Sequence, residues 1–112
     1  MASGTANRNP LSSPEPALPR SLFTVLIEYV RPMEEVEKVV ASHRSYLDGI
    51  FRSGALLASG PLLPRTGGIL WLKAGSREEI ERIVREDPYS ISGVATFRIL
   101  EFEPKKLVPG LH

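Results

Sequence analysis

His43 is the residue of this sequence with the clearest capacity for acid/base chemistry. It follows Val36, Val39 and Val40 at helical spacing, which predicts a position on the buried face of a helix or at its edge. Imidazole exchanges protons near neutral pH without perturbation, so a partly buried histidine is a candidate general acid or base. The helix alone favours a different interpretation, a histidine at the core edge that hydrogen-bonds a backbone carbonyl.

Asp87 is the candidate partner of His43. It precedes Pro88, which disfavours helical geometry in the residue before it, so the helix that carries Ile80 and Ile83 must end there. A carboxylate at a helix C-terminus opposes the helix dipole, and we expect it to gain nothing as an N-cap, so another group should compensate it. A carboxylate beside an imidazole fixes its tautomer and stabilises its protonated form. The alternative is a solvated turn residue, a common use of Asp-Pro.

Ser59, Gly60 and Pro61 are candidates for substrate binding at the end of a predicted strand. A glycine there lets a ligand approach backbone amides closely, and the serine could donate a hydrogen bond. A turn that ends the strand is at least as good an interpretation of Gly60 and Pro61. Ser59 lacks a second histidine for a nucleophilic triad, because His112 lies in the predicted tail.

Tyr46 and Tyr89 are two further candidates for substrate binding. Tyr46 follows His43 by three residues and Tyr89 follows Asp87 by two. Either hydroxyl could orient a substrate or relay a proton. Packing at the rim of a pocket is the more common role for such tyrosines.

Six predicted elements would position these residues. In chain order they are a strand over residues 22–30, a helix over 33–53, a strand over 55–59, a strand over 69–73, a helix from the capping box at Ser76 to Asp87, and a strand over 94–102. This βαββαβ order is typical of the ferredoxin-like α+β fold, with four antiparallel strands.

The predicted topology has two consequences for the site and the assembly. Right-handed crossovers place both helices on one face of the sheet, so the end of the second helix can approach His43 in the first. The other face of an apolar sheet would then be uncovered, which exceeds what monomers usually tolerate. We therefore expect a homodimer formed through that sheet face.

The chain ends differ in composition from the predicted domain over residues 21–105. Residues 1–20 contain four prolines among Ser, Ala and Asn, which predicts a flexible leader. Residues 106–112 form a short C-terminal tail.

Length and composition exclude several classes of function. The 112 residues suffice for one domain, and 14 basic against 13 acidic residues leave a net charge of +1, so nucleic acid is not an expected partner. No cysteine is present, which excludes thiolate chemistry and fits a reducing, cytoplasmic location. No apolar run is long enough for a membrane span. No nucleotide fingerprint or metal-ligand cluster occurs, so we predict neither cofactor nor metal.

The chain resembles the YCII-related proteins, which are relatives in fold of the dimeric α+β barrels. The resemblance extends over about residues 22 to 104 and depends on short motifs in family order. These are His43-Arg44-Ser45-Tyr46-Leu47, Gly54-Ala55-Leu56-Leu57-Ala58-Ser59-Gly60-Pro61, the Gly68 strand, and Asp87-Pro88-Tyr89 with Gly93.

The resemblance implies a ferredoxin-like protomer, a dimer formed sheet against sheet, and a His-Asp active site at His43 and Asp87. Family members often have an arginine three residues before the histidine, where this chain has Val40. An anion-binding role at that position is therefore not carried over.

These features favour an enzyme that moves a proton on a small organic molecule, by isomerisation, lactone chemistry or elimination, with His43 as acid/base and Asp87 as its orienting partner. The alternative is a non-catalytic dimeric module that binds a small ligand in the same pocket. RNA binding is a third hypothesis because the RRM shares this scaffold. It is disfavoured, since the strand from Gly68 to Lys73 lacks the RNP1 pattern.

Overall fold

The computed structural model describes residues 18–111. Its elements in chain order are β1 (Leu22–Tyr29), α1 (Met33–Glu37), α2 (Val40–Arg52), β2 (Leu56–Pro61), β3 (Gly67–Lys73), α3 (Arg77–Glu86), α4 (Pro88–Ile91) and β4 (Ala95–Phe102). The four strands form one antiparallel sheet in the order β2-β3-β1-β4. The predicted ferredoxin-like α+β fold is confirmed.

The core lies between the sheet and the helices. In the centre of the sheet, Val25 of β1 is opposite Leu70 of β3 on one side and Ile99 of β4 on the other. Val36 and Ile80 bring helical side chains into the same buried cluster. Because side chains alternate along a strand, the neighbouring positions face away from the helices and form a second, open face.

The prediction of one helix over residues 33–53 is wrong at Lys38 and Val39. Helix α1 ends at Glu37, and α2 begins at Val40. The backbone of Val39 has φ −109° and ψ −9°, and its N–H bonds the Val36 carbonyl three residues back. Two consecutive β-branched residues weaken the helix at this point. His43 therefore lies in the first turn of a new helix.

The interpretation of Gly60 and Pro61 as a turn is also wrong, because both belong to β2. Gly60 is opposite Ile69 and Pro61 is opposite Gly68. Proline is tolerated here because β2 is an edge strand and its missing N–H breaks no inner ladder. The chain reverses instead over residues 62–66.

The short helix α4 follows Asp87 directly and was not predicted. Its first residue is Pro88, whose fixed φ suits the first helical position. The same proline that ends α3 therefore begins α4.

The chain ends lie partly outside the described residues. The predicted leader over residues 1–20 falls almost wholly on residues 1–17, which lie outside them, as does His112. Within residues 18–111, no helix combines the length and apolar character that a bilayer crossing requires.

Candidate functional site

His43 and Asp87 meet at the junction of α2 with α3 and α4. His43 Nδ1 lies 2.8 Å from Asp87 Oδ1, across 44 positions of sequence. His43 is 9% exposed and Asp87 only 1%. The pairing compensates the Asp87 carboxylate with a side chain that can carry positive charge.

Asp87 has a second role that the sequence interpretation missed. Its Oδ1 also accepts a hydrogen bond from the Tyr89 backbone N–H at 2.9 Å, so Asp87 is the N-cap of α4. The expectation that Asp87 gains nothing as an N-cap is therefore wrong, because Pro88 starts a helix instead of only ending one. Asp87 Oδ2 is fully buried and accepts no hydrogen bond from residues 18–111. The carboxylate is held through Oδ1 alone.

The geometry assigns the tautomer of His43. An ionised carboxylate only accepts hydrogen bonds, so Nδ1 carries the proton that is donated to Asp87. In the neutral ring Nε2 is then an acceptor with a free lone pair. No side chain or carbonyl among residues 18–111 hydrogen-bonds Nε2, so this nitrogen is available to a ligand.

Tyr89 fixes the plane of the His43 ring. The two rings stack with centroids 3.8 Å apart and planes 9° apart, and Tyr29 packs edge-on against Tyr89 at 5.8 Å. Burial, followed by the neighbouring Tyr29 hydroxyl, raises the pKa of Tyr89 above its ordinary value near 10. Its hydroxyl therefore stays neutral near physiological pH.

A cavity of about 240 Å³ opens beside His43, between α2 and the edge of the sheet. Its lining combines apolar side chains, two tyrosines, the His43 imidazole and two arginines. The lining residues are Ile27, Tyr29, Val40, His43, Arg44, Leu47, Ser59, Gly60, Pro61, Arg65, Gly68, Ile69, Leu70 and Tyr89. This volume is below the roughly 300–1,000 Å³ of sites for drug-sized ligands, so the cavity suits a small molecule.

The structure brings four of the five predicted substrate-binding residues to this cavity, namely Ser59, Gly60, Pro61 and Tyr89. Tyr46 lies elsewhere: its hydroxyl donates to the Ile83 backbone carbonyl at 2.8 Å, and it does not line the cavity. Burial, with smaller contributions from nearby carboxylates, raises the pKa of Tyr46 to about 12. Tyr46 thus ties α2 to α3.

Sequence reasoning missed Arg44 and Arg65 as site residues. Arg44 was visible as the neighbour of His43 in the helical motif, although a position next in sequence on a helix usually faces another direction. Arg65 lies in the β2–β3 loop, where no periodic pattern indicates a direction. Within residues 18–111, no group of three or more His, Asp or Glu side chains is arranged to hold a metal.

Comparison with known families shows which family the chain belongs to. The model of the YCII-related domain matches residues 22–103, which includes every element of the fold. The chain belongs to the YCII-related family. In this YCII-related protein the match covers both His43 and Asp87.

Two curated relatives support this membership. The uncharacterized protein YjpA of Bacillus subtilis (strain 168) is 32% identical over 85 residues, which cover 76% of this chain and 100% of YjpA. The derivative of benzaldehyde biosynthesis cluster protein C of Emericella nidulans is 26% identical over 92 residues, with 70% of this chain and 94% of that protein covered.

A solved structure shares the fold of this YCII-related protein. It is 5-chloro-2-hydroxyhydroquinone dehydrochlorinase (TftG) from Burkholderia phenoliruptrix AC1100, in complex with 2,5-dihydroxybenzoquinone. The superposition has a TM-score of 0.62 at 22% identity and covers 75% of this chain and 93% of that chain. At this identity the likeness concerns the fold.

Proposed function

We propose that this protein is an acid/base enzyme that moves a proton on a small organic molecule, with His43 Nε2 as the proton-transferring atom. The hydrogen bond from His43 Nδ1 to the buried Asp87 carboxylate carries the proposal. It leaves Nε2 unprotonated in the neutral ring, and the His43 side chain lines a cavity of ligand size.

The proposed reaction needs no group beyond the side chains of the site. Nε2 removes a proton from an acidic C–H or O–H of the substrate, and Asp87 stabilises the imidazolium that forms. His43 then returns the proton to another atom of the substrate or to a leaving group. The first outcome is an isomerisation and the second completes an elimination.

Ser59, Gly60, Pro61 and Tyr89 form the proposed substrate contacts, since all four line the cavity. Tyr89 acts chiefly as a positioning residue, because it stacks on the imidazole and keeps Nε2 in one direction. We leave Tyr46 out of the proposed site, since its hydroxyl is bonded to Ile83.

The fold neighbour supports the choice of reaction class. That protein is a 5-chloro-2-hydroxyhydroquinone dehydrochlorinase, and its structure is a complex with 2,5-dihydroxybenzoquinone. Removal of HCl is an elimination that a base can begin by abstracting a proton. Hydroxylated quinones and hydroquinones are therefore the first compounds to test.

The experiment measures proton exchange with solvent. The protein is incubated in D₂O with hydroxylated benzoquinones and hydroquinones, and loss of ring proton signals is followed by NMR, with chloride release measured for chlorinated members. We expect the wild type to accelerate exchange or release with one of them, and His43→Ala to lower that rate by roughly 10²–10⁴-fold. Ser45→Ala, an exposed change on the same helix, is the matched control.

Two results would argue against catalysis by His43. Retained exchange in a folded His43→Ala protein, with folding checked by circular dichroism, contradicts the proposed role. Ligand binding by the wild type without exchange of any tested compound would favour the second candidate, a non-catalytic small-ligand-binding module.

We propose that the protein is a homodimer formed through the open sheet face, which we define by Trp71, Leu100 and Phe102. These apolar residues are 49%, 41% and 51% exposed. Trp71 lies on β3 and the other two on β4, on either side of β1: Thr24 of β1 is opposite both Trp71 and Leu100, and Leu22 is opposite Phe102. Several large apolar side chains exposed on one face of a sheet are typical of an interface.

The proposed location is the cytoplasm, with neither nucleic acid nor membrane as a partner. The absence of cysteine fits a reducing compartment, and the net charge of +1 provides no strong attraction for polyanions.

A further inference from the structure

Two arginines give the cavity a positive charge. Arg44 of α2 and Arg65 of the β2–β3 loop both line it, and none of its described lining residues is an aspartate or glutamate. Neither guanidinium group forms an ion pair or hydrogen bond with any residue between positions 18 and 111. Two guanidinium groups are thus available to a ligand in the same cavity.

The buried carboxylate behind His43 lowers this positive charge but does not cancel it, because one carboxylate stands against two guanidinium groups. Asp87 is 1% exposed and absent from the lining, and its Oδ1 is already bonded to His43 and to the Tyr89 N–H. The charge of Arg65 also reaches the Tyr89 hydroxyl. Burial raises the pKa of Tyr89, Arg65 lowers it, and Asp87 raises it by a smaller amount than Arg65 lowers it.

The remaining lining defines the rest of the ligand. Ile27, Val40, Leu47 and Leu70 present apolar surface around the His43 ring. A volume of about 240 Å³ accommodates a ligand of about one ring. A guanidinium matches the geometry of a carboxylate and binds it through paired hydrogen bonds.

We propose that the ligand is a single-ring organic anion, whose carboxylate or equivalent acidic oxygen binds Arg44 and Arg65 while its ring lies against His43. This inference rests on the proposed function, since it assigns the substrate class of the same cavity. Val40 contributes only apolar contact to this site. The positive charge comes instead from Arg44, next to His43 in sequence, and from Arg65 in the β2–β3 loop.

The test compares benzoate with its neutral analogue benzamide, titrated into the full-length protein and followed by ¹H–¹⁵N NMR. We expect the wild type to bind benzoate more tightly than benzamide, with shifts at residues around the cavity. Arg44→Gln or Arg65→Gln should each weaken benzoate binding by roughly tenfold, about the worth of one charge-assisted hydrogen bond. The double variant should bind the two probes equally.

Three control variants separate a specific contact from general effects. Arg65→Lys keeps the charge and should recover part of the benzoate affinity. Arg52→Gln removes an exposed arginine from the end of the same helix, away from the cavity, and should leave the preference unchanged. Asp48→Asn, also exposed on α2, should do the same.

Equal binding of benzoate and benzamide by the wild type, or no binding of benzoate up to its solubility limit, would overturn this inference. A preference that survives the double variant would do so as well. The binding assay needs no turnover, so a benzoate preference in a protein whose His43→Ala variant keeps full exchange activity would remove the proposed function and leave the anion site. A wild type that does not prefer benzoate, but whose exchange activity depends on His43, would remove the anion site and leave the proposed function.

Discussion

His43 and Asp87 illustrate how two ordinary residues become a polarised pair through their neighbours. Asp87 Oδ1 accepts hydrogen bonds from His43 Nδ1 and from the Tyr89 backbone N–H. The Tyr89 ring stacks on the imidazole and fixes its plane. The contacts with Asp87 and Tyr89 restrict the His43 ring directly, and the Tyr89 N–H bond holds the carboxylate that His43 bonds. Preorganisation of this kind lowers the cost of placing a base against a substrate.

The convergence of His43 and Asp87 was predictable because each had an independent cause in the sequence. Helical spacing indicated a buried face for His43, and Pro88 required α3 to end at Asp87. The direction of Tyr46 was not predictable, since its bond to the Ile83 carbonyl depends on how far apart α2 and α3 pack. The orientation of Arg65 depends in the same way on the path of a loop.

Tyr46 provides a pH prediction at the residue scale. Its pKa is raised from 10.0 to about 12, mainly by burial, so the folded state binds this proton more tightly than the unfolded state. The associated stability is fully present below pH 10 and is lost as the pH rises from about 10 through about 12. Chemical denaturation of wild type across this range should show falling stability.

Tyr46→Phe removes this titrating group and the bond to Ile83. We expect a loss of about 1 kcal/mol in the free energy of unfolding at neutral pH and a shallower decline with alkaline pH. The tyrosine-to-phenylalanine change should leave benzoate binding unaltered, since Tyr46 does not line the cavity. An alkaline profile identical to that of wild type would contradict the assignment.

At the scale of elements, strands and helices were predictable and their boundaries were not. The helix break at Val39 arises from two adjacent β-branched residues, which lower helix propensity without excluding a helix. The extension of β2 through Gly60 and Pro61 depends on its position at the sheet edge, which only the assembled topology determines. Helix α4 is a single turn and too short for periodicity to detect.

Gly67 is required for the close packing of β3 on β1. A Cβ atom built there would overlap the backbone carbonyl oxygen of Ile27, which cannot move without shifting a central strand. Gly67→Ala should therefore lower the free energy of unfolding by about 1–3 kcal/mol, the usual cost of overpacking, or by more. Denaturant titration is the measurement.

Gly49→Ala is the matched control for that change. Gly49 is exposed in α2, and a Cβ atom there meets nothing within 4 Å. Alanine at this helical position should raise stability by about 0.5–1 kcal/mol. If both substitutions changed the free energy of unfolding equally, the close contact between Gly67 and Ile27 would not be the cause of the loss in Gly67→Ala.

At the scale of the whole molecule, the βαββαβ order of the predicted elements indicated the fold. The family model and the fold neighbour agree with that topology. The sequence could not determine the open sheet face in detail, since the tail from Lys106 to Leu111 partly lines it together with Trp71 and Phe102. How a tail packs depends on contacts that have no periodic pattern.

The proposed dimer predicts a specific response to a charge on the open sheet face. Trp71→Arg places a guanidinium in the apolar interface, where desolvation without a partner is costly, and should convert the dimer to monomer. Ile91→Arg adds the same charge on α4, at a residue that is 75% exposed, and should leave the dimer intact. Sedimentation velocity measures both; a monomeric wild type, or a Trp71→Arg dimer, would contradict the interface.

The most direct test of the central claim is the ¹⁵N NMR spectrum of the His43 ring, assigned by comparison with His112→Gln, at a pH where the ring is neutral. We predict that Nδ1 carries the proton and that Nε2 has the shift of an unprotonated nitrogen. Asp87→Asn should reverse this, because its amide N–H can donate to Nδ1. A wild-type ring protonated on Nε2, or one indifferent to Asp87→Asn, would contradict the claim that Asp87 prepares Nε2 for proton transfer.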